Sequence, residues 1–171
     1  MILLITGATH TGKTVLAQRL MEKMHIPYLC LDHLKMGLIR AGLIKVTPTD
    51  DLARITAAVW PAAREMIRTA VENGQSLIVE GCYVPPEWKS DFSQEALAKM
   101  RCICLVMSED YIRSNLHSIA AHACDIERRM EDAVDAEMLL RENAYFAANF
   151  DEIYPITEEY ARDTDALWRT L

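Results

Sequence analysis

The sequence predicts an α/β protein built on a parallel sheet, and three observations carry that expectation. Residues 7–14 read Gly7-Ala8-Thr9-His10-Thr11-Gly12-Lys13-Thr14, a complete G-x-x-x-x-G-K-[ST] phosphate-binding loop; an apolar run at 1–5 precedes it and a helical pattern at 15–20 follows. Two further runs, 76–80 and 101–107, are apolar without alternation, as in strands covered on both faces. Helical stretches separate these runs, so the strands are expected to pair in parallel through right-handed crossovers.

Taken in order, the first helix breaks near His25, and a short strand at 26–31 ends in Asp32. Pro27 suits the start or the edge of a sheet, because it lacks an amide donor. A helix is expected from His33 to Ala41, stopped by Gly42. Thr47-Pro48-Thr49-Asp50 then reads as a helix start. Leu52, Ile55, Val59, Ala63, Met66, Ile67, Ala70 and Val71 recur at helical spacing. Pro61 interrupts that pattern, which predicts a kinked helix or two consecutive ones, ended by Asn73-Gly74. The strand at 76–80 closes in Glu80 and Gly81, and the strand at 101–107 leads into a long helical region reaching about Asn149 in more than one piece. A weak last strand at 153–156 and a terminal helix including Tyr160, Ala161 and Leu167 complete the reading.

With 171 residues the chain is expected to form one domain, 1–171, with enough length for a substantial core. A formal charge of −7 leaves no basic stripe for nucleic acid. No stretch approaches the roughly 20 apolar residues of a membrane span. The N-terminus lacks a basic flank and a cleavage site, and the five cysteines form no C-x-x-C pair, so a cytoplasmic, reduced protein without zinc is expected.

The loop has a defined chemistry. Gly7 and Gly12 let the backbone turn its N–H groups toward a β-phosphate, and the helix N-terminus adds partial positive charge. Lys13 reaches the β- and γ-phosphates, and Thr14 offers a hydroxyl to Mg²⁺. Ala8, Thr9, His10 and Thr11 fill the variable positions, where backbone does the binding, and Val15 opens the helix. A nucleoside triphosphate is the expected ligand. In a parallel sheet ligands sit beyond the carboxyl ends of the strands, where the loop, Asp32, Glu80 and the region after Met107 all fall.

With these residues the chain resembles a P-loop kinase of the nucleoside and nucleotide kinase superfamily. Leu77-Ile78-Val79-Glu80-Gly81 resembles the strand-Glu-Gly element of uridine-kinase-like and phosphoribulokinase-like enzymes, and is similar to that of 2-phosphoglycerate-kinase-like proteins. The resemblance implies a P-loop NTPase three-layer sandwich, a five-stranded parallel sheet, a small helical lid within 109–145 and an acceptor site beside it. It further implies ATP and Mg²⁺ as cofactors and a small-molecule phosphoryl acceptor as partner. No Asn-Lys-x-Asp guanine-reading motif is present, and no uninterrupted adenylate-kinase lid pattern of spaced arginines.

Within that resemblance Asp32 is the candidate to orient the acceptor hydroxyl and take its proton, unless it only caps the following helix. Glu80 is the candidate to hold Mg²⁺ through water or to act as the base, against the plain alternative of a solvated strand end. Lys35 and Arg40 fall in a segment resembling the acceptor-binding helix of nucleotide kinases, and Arg64 and Arg68 are weaker candidates of the same kind. Arg128 and Arg129, with Arg113 and Arg141 behind them, are the lid candidates that would neutralise charge on the transferring phosphoryl group. Arg128 and Arg129 sit amid Asp125, Glu127, Glu131 and Asp132, so ordinary surface ion pairs explain them at least as well. Three readings stand: a kinase of a nucleotide, nucleoside or phosphorylated sugar acid; a nucleotide-binding regulator or slow ATPase; and a zeta-toxin-like nucleotide-sugar kinase.

Overall fold

The computed structural model describes residues 1–122 and 134–156. Five strands, β1 (Ile2–Gly7), β2 (Tyr28–Cys30), β3 (Leu77–Glu80), β4 (Met100–Met107) and β5 (Ile153–Ile156), form one all-parallel sheet in the order β2-β3-β1-β4-β5. The order places β2 at an edge, and Pro27 stands just before its first residue, a position that proline tolerates; the Pro27 carbonyl accepts the Ile78 amide at 3.0 Å. Every residue of β1 is buried and β4 is buried from Cys102 onward, as their unbroken apolar runs require. The helices are α1 (Lys13–Met24), α2 (Leu31–Arg40), α3 (Leu52–Glu72), the short α4 (Gln94–Leu97), α5 (Glu109–Ala121) and α6 (Ala136–Asn149). Among the described residues no helix is long and apolar enough to cross a membrane.

The chain divides into two compact units. The first comprises 1–6 and 17–103, the second 7–16 and the chain from 104 onward. In the first unit, β3 pairs with β1 from Ile2↔Leu77 to Ile5↔Glu80 and with β2 from Tyr28↔Ile78 to Cys30↔Glu80. Here α3 buries Ile55, Val59, Trp60, Ala63, Ile67 and Ala70, one face of a 3.6-residue period. In the second unit, β4 pairs with β5 from Cys104↔Ile153 to Met107↔Ile156. Ile112 and Ile119 of α5 and Leu139 and Phe146 of α6 are buried there, and Phe146 stacks on Phe150 at 5.6 Å.

Several local expectations shift. Helix α2 begins at Leu31 rather than His33, and its N-cap, Cys30, makes no side-chain capping bond. Asp32 therefore lies inside the first turn and is not the cap. The start of α3 moves from Thr47–Asp50 to Asp51, whose carboxylate accepts the Arg54 amide at 2.9 Å. Thr47 and Asp50 instead close a turn on each other, with Asp50 Oδ2 accepting the Thr47 amide at 3.0 Å. α3 runs through Pro61 as one helix. Proline there is exposed and so is Ala57, whose carbonyl loses its i+4 donor on a face that water reaches. The expected terminal helix lies outside the described residues.

Candidate functional site

The phosphate loop belongs to the second unit. Gly7 has φ +134° and Gly12 φ +74°, conformations that favour glycine. At Gly7 the close approach matters as much, because a Cβ would overlap the Leu105 carbonyl oxygen of β4. His10 adopts φ +63° without being glycine, so this turn of the loop is held by its surroundings against a modest backbone cost. The Ala8 carbonyl accepts Lys13 Nζ at 2.6 Å and Thr11 Oγ1 at 2.8 Å, which draws the lysine ammonium into the concave side of the loop. Leu16 N donates to Gly12 O at 3.0 Å, so α1 starts directly from the loop and its first amides face the turn. Thr14 occupies the first helical turn.

Two residues with no signature in the sequence support this loop. Glu142 of α6 accepts the Thr9 amide at 2.9 Å through Oε2. Its neighbour Asn143, 3% exposed, accepts the Met107 amide at 2.8 Å and donates to Leu139 O at 2.7 Å. Burial pushes the Cys104 thiol of β4 up to about 12, a rise that the positive charge of Lys13 partly offsets.

The first unit carries a cluster of side chains. Lys35 is buried, and a buried ammonium needs a counter-ion. It donates to Asp32 Oδ1 at 2.7 Å and to the Tyr83 hydroxyl at 2.7 Å, and Tyr83 in turn donates to Asp32 Oδ1 at 3.2 Å. The Lys35 side chain is 10% exposed and that of Asp32 35%, so the carboxylate is the member of the cluster that solvent and a small ligand can reach. Burial, followed by the Cys82 and Asp32 neighbours, raises the Tyr83 hydroxyl well above its usual range, keeping it a donor. Glu80, 2% exposed, ends β3 opposite Cys30, whose thiol donates to it; burial first and the Glu80 charge second raise that thiol far above its ordinary value. Gly81 makes the corner possible. Its φ is +146°, and a Cβ there would lie 2.7 Å from Leu31 Cβ, so only glycine lets the end of β3 approach the start of α2 this closely.

The remaining sequence candidates fall elsewhere. Arg40 is exposed in the last turn of α2, about 12 Å along the helix axis from Asp32. Arg64 contacts Glu65 at 2.9 Å and Asp91 at 3.3 Å. Arg68 joins the same knot through Glu65 and the Asp91 carbonyl, and Trp60 Nε1 donates to Asp91 at 2.7 Å. That network ties α3 to residues 88–92, which accounts for both arginines without a ligand. Arg113 pairs with Glu109 at 2.8 Å and Glu137 at 4.0 Å. Arg128 and Arg129 lie outside the described residues.

Within the second unit the residues of the loop suit a triphosphate and its divalent ion: a glycine-turned backbone, an ammonium and a threonine hydroxyl. No protein-family model and no curated sequence matches the chain. Solved structures do. A proposed kinase from Chloroflexus aurantiacus matches with 17% identity and a TM-score of 0.60, over 99% of this chain and 94% of its own. A gluconokinase from Sinorhizobium meliloti 1021 matches with 14% identity and a TM-score of 0.57, over 98% of this chain and 91% of its own. A shikimate kinase from Bacteroides thetaiotaomicron matches with 15% identity and a TM-score of 0.56, over 99% and 97%. The chain therefore has the fold of the small P-loop kinases.

Proposed function

We propose that this protein is an ATP- and Mg²⁺-dependent phosphotransferase that moves the γ-phosphoryl group of ATP to a hydroxyl of a small metabolite. The observation that carries the reading is the Asp32–Lys35–Tyr83 cluster. A nucleotide-binding regulator needs the phosphate loop, but it has no use for a solvent-reachable carboxylate fixed by a buried lysine and a tyrosine after a second strand. The names of the structural neighbours, gluconokinase, sugar kinase and shikimate kinase, support a hydroxylated acceptor over a nucleotide one.

In this reading the loop amides and Lys13 hold the triphosphate and neutralise charge on it as the phosphoryl group transfers. Thr14 would offer its hydroxyl to Mg²⁺, and Glu80 is the carboxylate that would accept from the ion's water; Mg²⁺ would supply neutralisation of the triphosphate's charge. Asp32 accepts a hydrogen bond from the acceptor hydroxyl and takes its proton as the new P–O bond forms and the bond between the γ-phosphorus and the β,γ-bridging oxygen breaks, releasing ADP. Lys35 and Tyr83 are positioning residues that fix the Asp32 rotamer, which favours transfer through geometry. Lys35 thus acts through Asp32 and not as a direct ligand of the acceptor.

ADP release with Mg²⁺-ATP, measured across hydroxy acids, sugars, nucleosides and nucleoside monophosphates, tests the reading. One acceptor class is expected to stimulate turnover, and Lys13→Ala is expected to abolish the stimulation. Tight ATP binding with no stimulation by any acceptor would favour the regulator or slow ATPase instead.

A further inference from the structure

The contact between Glu142 and the loop has a consequence for nucleotide choice. Thr9 is the third residue of the phosphate loop, and its N–H belongs to the run of amides that such loops turn toward phosphate oxygens. That N–H donates to Glu142 Oε2 at 2.9 Å. An ionised carboxylate only accepts hydrogen bonds, so the loop carries an internal anion on one of its own donors. The anion is held in place. Asn143, the next residue, is buried and bonded to the Met107 amide at 2.8 Å, which anchors this turn of α6 beside the end of β4.

We propose that Glu142 sets the discrimination between nucleoside tri- and diphosphates by acting as a fixed negative charge on the phosphate loop. This rests on the nucleotide-binding half of the function proposed above and not on the acceptor. Repulsion between like charges grows with the charge of the ligand and with partial exclusion of water. The Glu142 carboxylate therefore weakens the hold on a triphosphate more than on a diphosphate. It lowers the ratio of triphosphate to diphosphate affinity that the amides and Lys13 would otherwise give.

Glu142→Gln separates charge from bracing, because the amide oxygen can still accept the Thr9 N–H. Calorimetric titration with the Mg²⁺ complexes of a non-hydrolysable ATP analogue and of ADP would be run on wild type, Glu142→Gln, Glu142→Ala and Lys13→Ala. In Glu142→Gln the triphosphate analogue is expected to bind roughly tenfold more tightly and ADP roughly two- to threefold. Raising the ionic strength is expected to shrink the difference. An unchanged affinity ratio, or equal weakening of both nucleotides, would overturn the proposal and leave Glu142 as a brace for the loop. Should Glu142→Ala lose its fold, the Glu142→Gln ratio decides alone. If the wild type binds neither nucleotide in a Lys13-dependent way, the nucleotide reading itself fails and this proposal fails with it.

Discussion

In the second unit the loop from Gly7 to Thr14 offers backbone amides and one ammonium drawn in by the Ala8 carbonyl. In the first unit Asp32, Lys35 and Tyr83 offer side chains, and the tyrosine comes from 48 and 51 residues away from its two partners. Backbone donors are indifferent to side-chain identity, so the loop tolerates Ala8, Thr9, His10 and Thr11 while insisting on Gly7, where a Cβ meets the Leu105 carbonyl oxygen. The cluster tolerates backbone variation but depends on three particular functional groups. A generic ligand, the triphosphate, can be held by the first kind of site. Choice among acceptors needs the second, because only side chains differ enough to discriminate.

The sharpest way to break the comparison is to remove one functional group from each region. Lys13→Ala is expected to lower kcat/KM roughly 10²–10³-fold, in line with the loss of a group that stabilises transition-state charge. Asp32→Asn is expected to lower kcat roughly 10²–10⁴-fold as a lost general base, with the Kd for Mg²⁺-ATP unchanged. Steady-state kinetics with nucleotide titrations separates the two. If Asp32→Asn weakened nucleotide binding as much as Lys13→Ala, the division of labour drawn here would be wrong.

Next in size are the glycines. Gly7→Ala is expected to cost about 3 kcal/mol or more in chemical denaturation, since both backbone strain and a steric clash oppose it. Gly81→Ala should cost less. The added Cβ would lie 2.7 Å from Leu31 Cβ, which only a small backbone shift of α2 can relieve, whereas at Gly7 it would overlap the Leu105 carbonyl oxygen held in β4.

Titration of the thiols comes third. Cys104 is raised from 9.0 to about 12 in the folded protein, so above pH 9 the unfolded chain gives up this proton while the folded one keeps it. The unfolded state then binds fewer protons, and stability falls as pH rises through 9 to 12, by about 1.4 kcal/mol per pH unit for this thiol. Cys30 is raised in the same direction, so Cys104→Ala should reduce the alkaline slope and not abolish it. Denaturant midpoints across that range measure it. The smallest effect belongs to Arg113→Ala, whose exposed pairs with Glu109 and Glu137 should leave nucleotide affinity unchanged.

The same contrast explains what could be read in the chain before folding. The loop is local: its glycines, lysine and threonine lie within eight consecutive residues, between a strand and a helix that are themselves clear. The sheet was equally legible, because β1, β3 and β4 are unbroken apolar runs. Asp32 and Glu80 could be picked out because each follows such a run. The bonds of Tyr83 to Lys35 and Asp32 could not, since they exist only once β2 pairs with β3 and Gly81 turns the chain toward Leu31. Glu142 and Asn143 had no signal at all: a Glu-Asn pair on a helix is ordinary until that helix lies against the loop and the end of β4. Arg64 and Arg68 show a contact that spacing alone could not reveal. Their spacing suggested a ligand, and Asp91, more than twenty residues away, accounts for them.

In the proposed function the Asp32 cluster serves phosphoryl transfer to an acceptor hydroxyl while the loop serves the nucleotide. Transfer of labelled γ-phosphate from ATP into an acceptor, compared between wild type and Asp32→Asn at saturating ATP, tests it most directly. A labelled phosphomonoester is expected with the wild type and its near loss with Asp32→Asn, while ATP binding persists in both. Label appearing only as inorganic phosphate, at the same rate in both proteins, would contradict it.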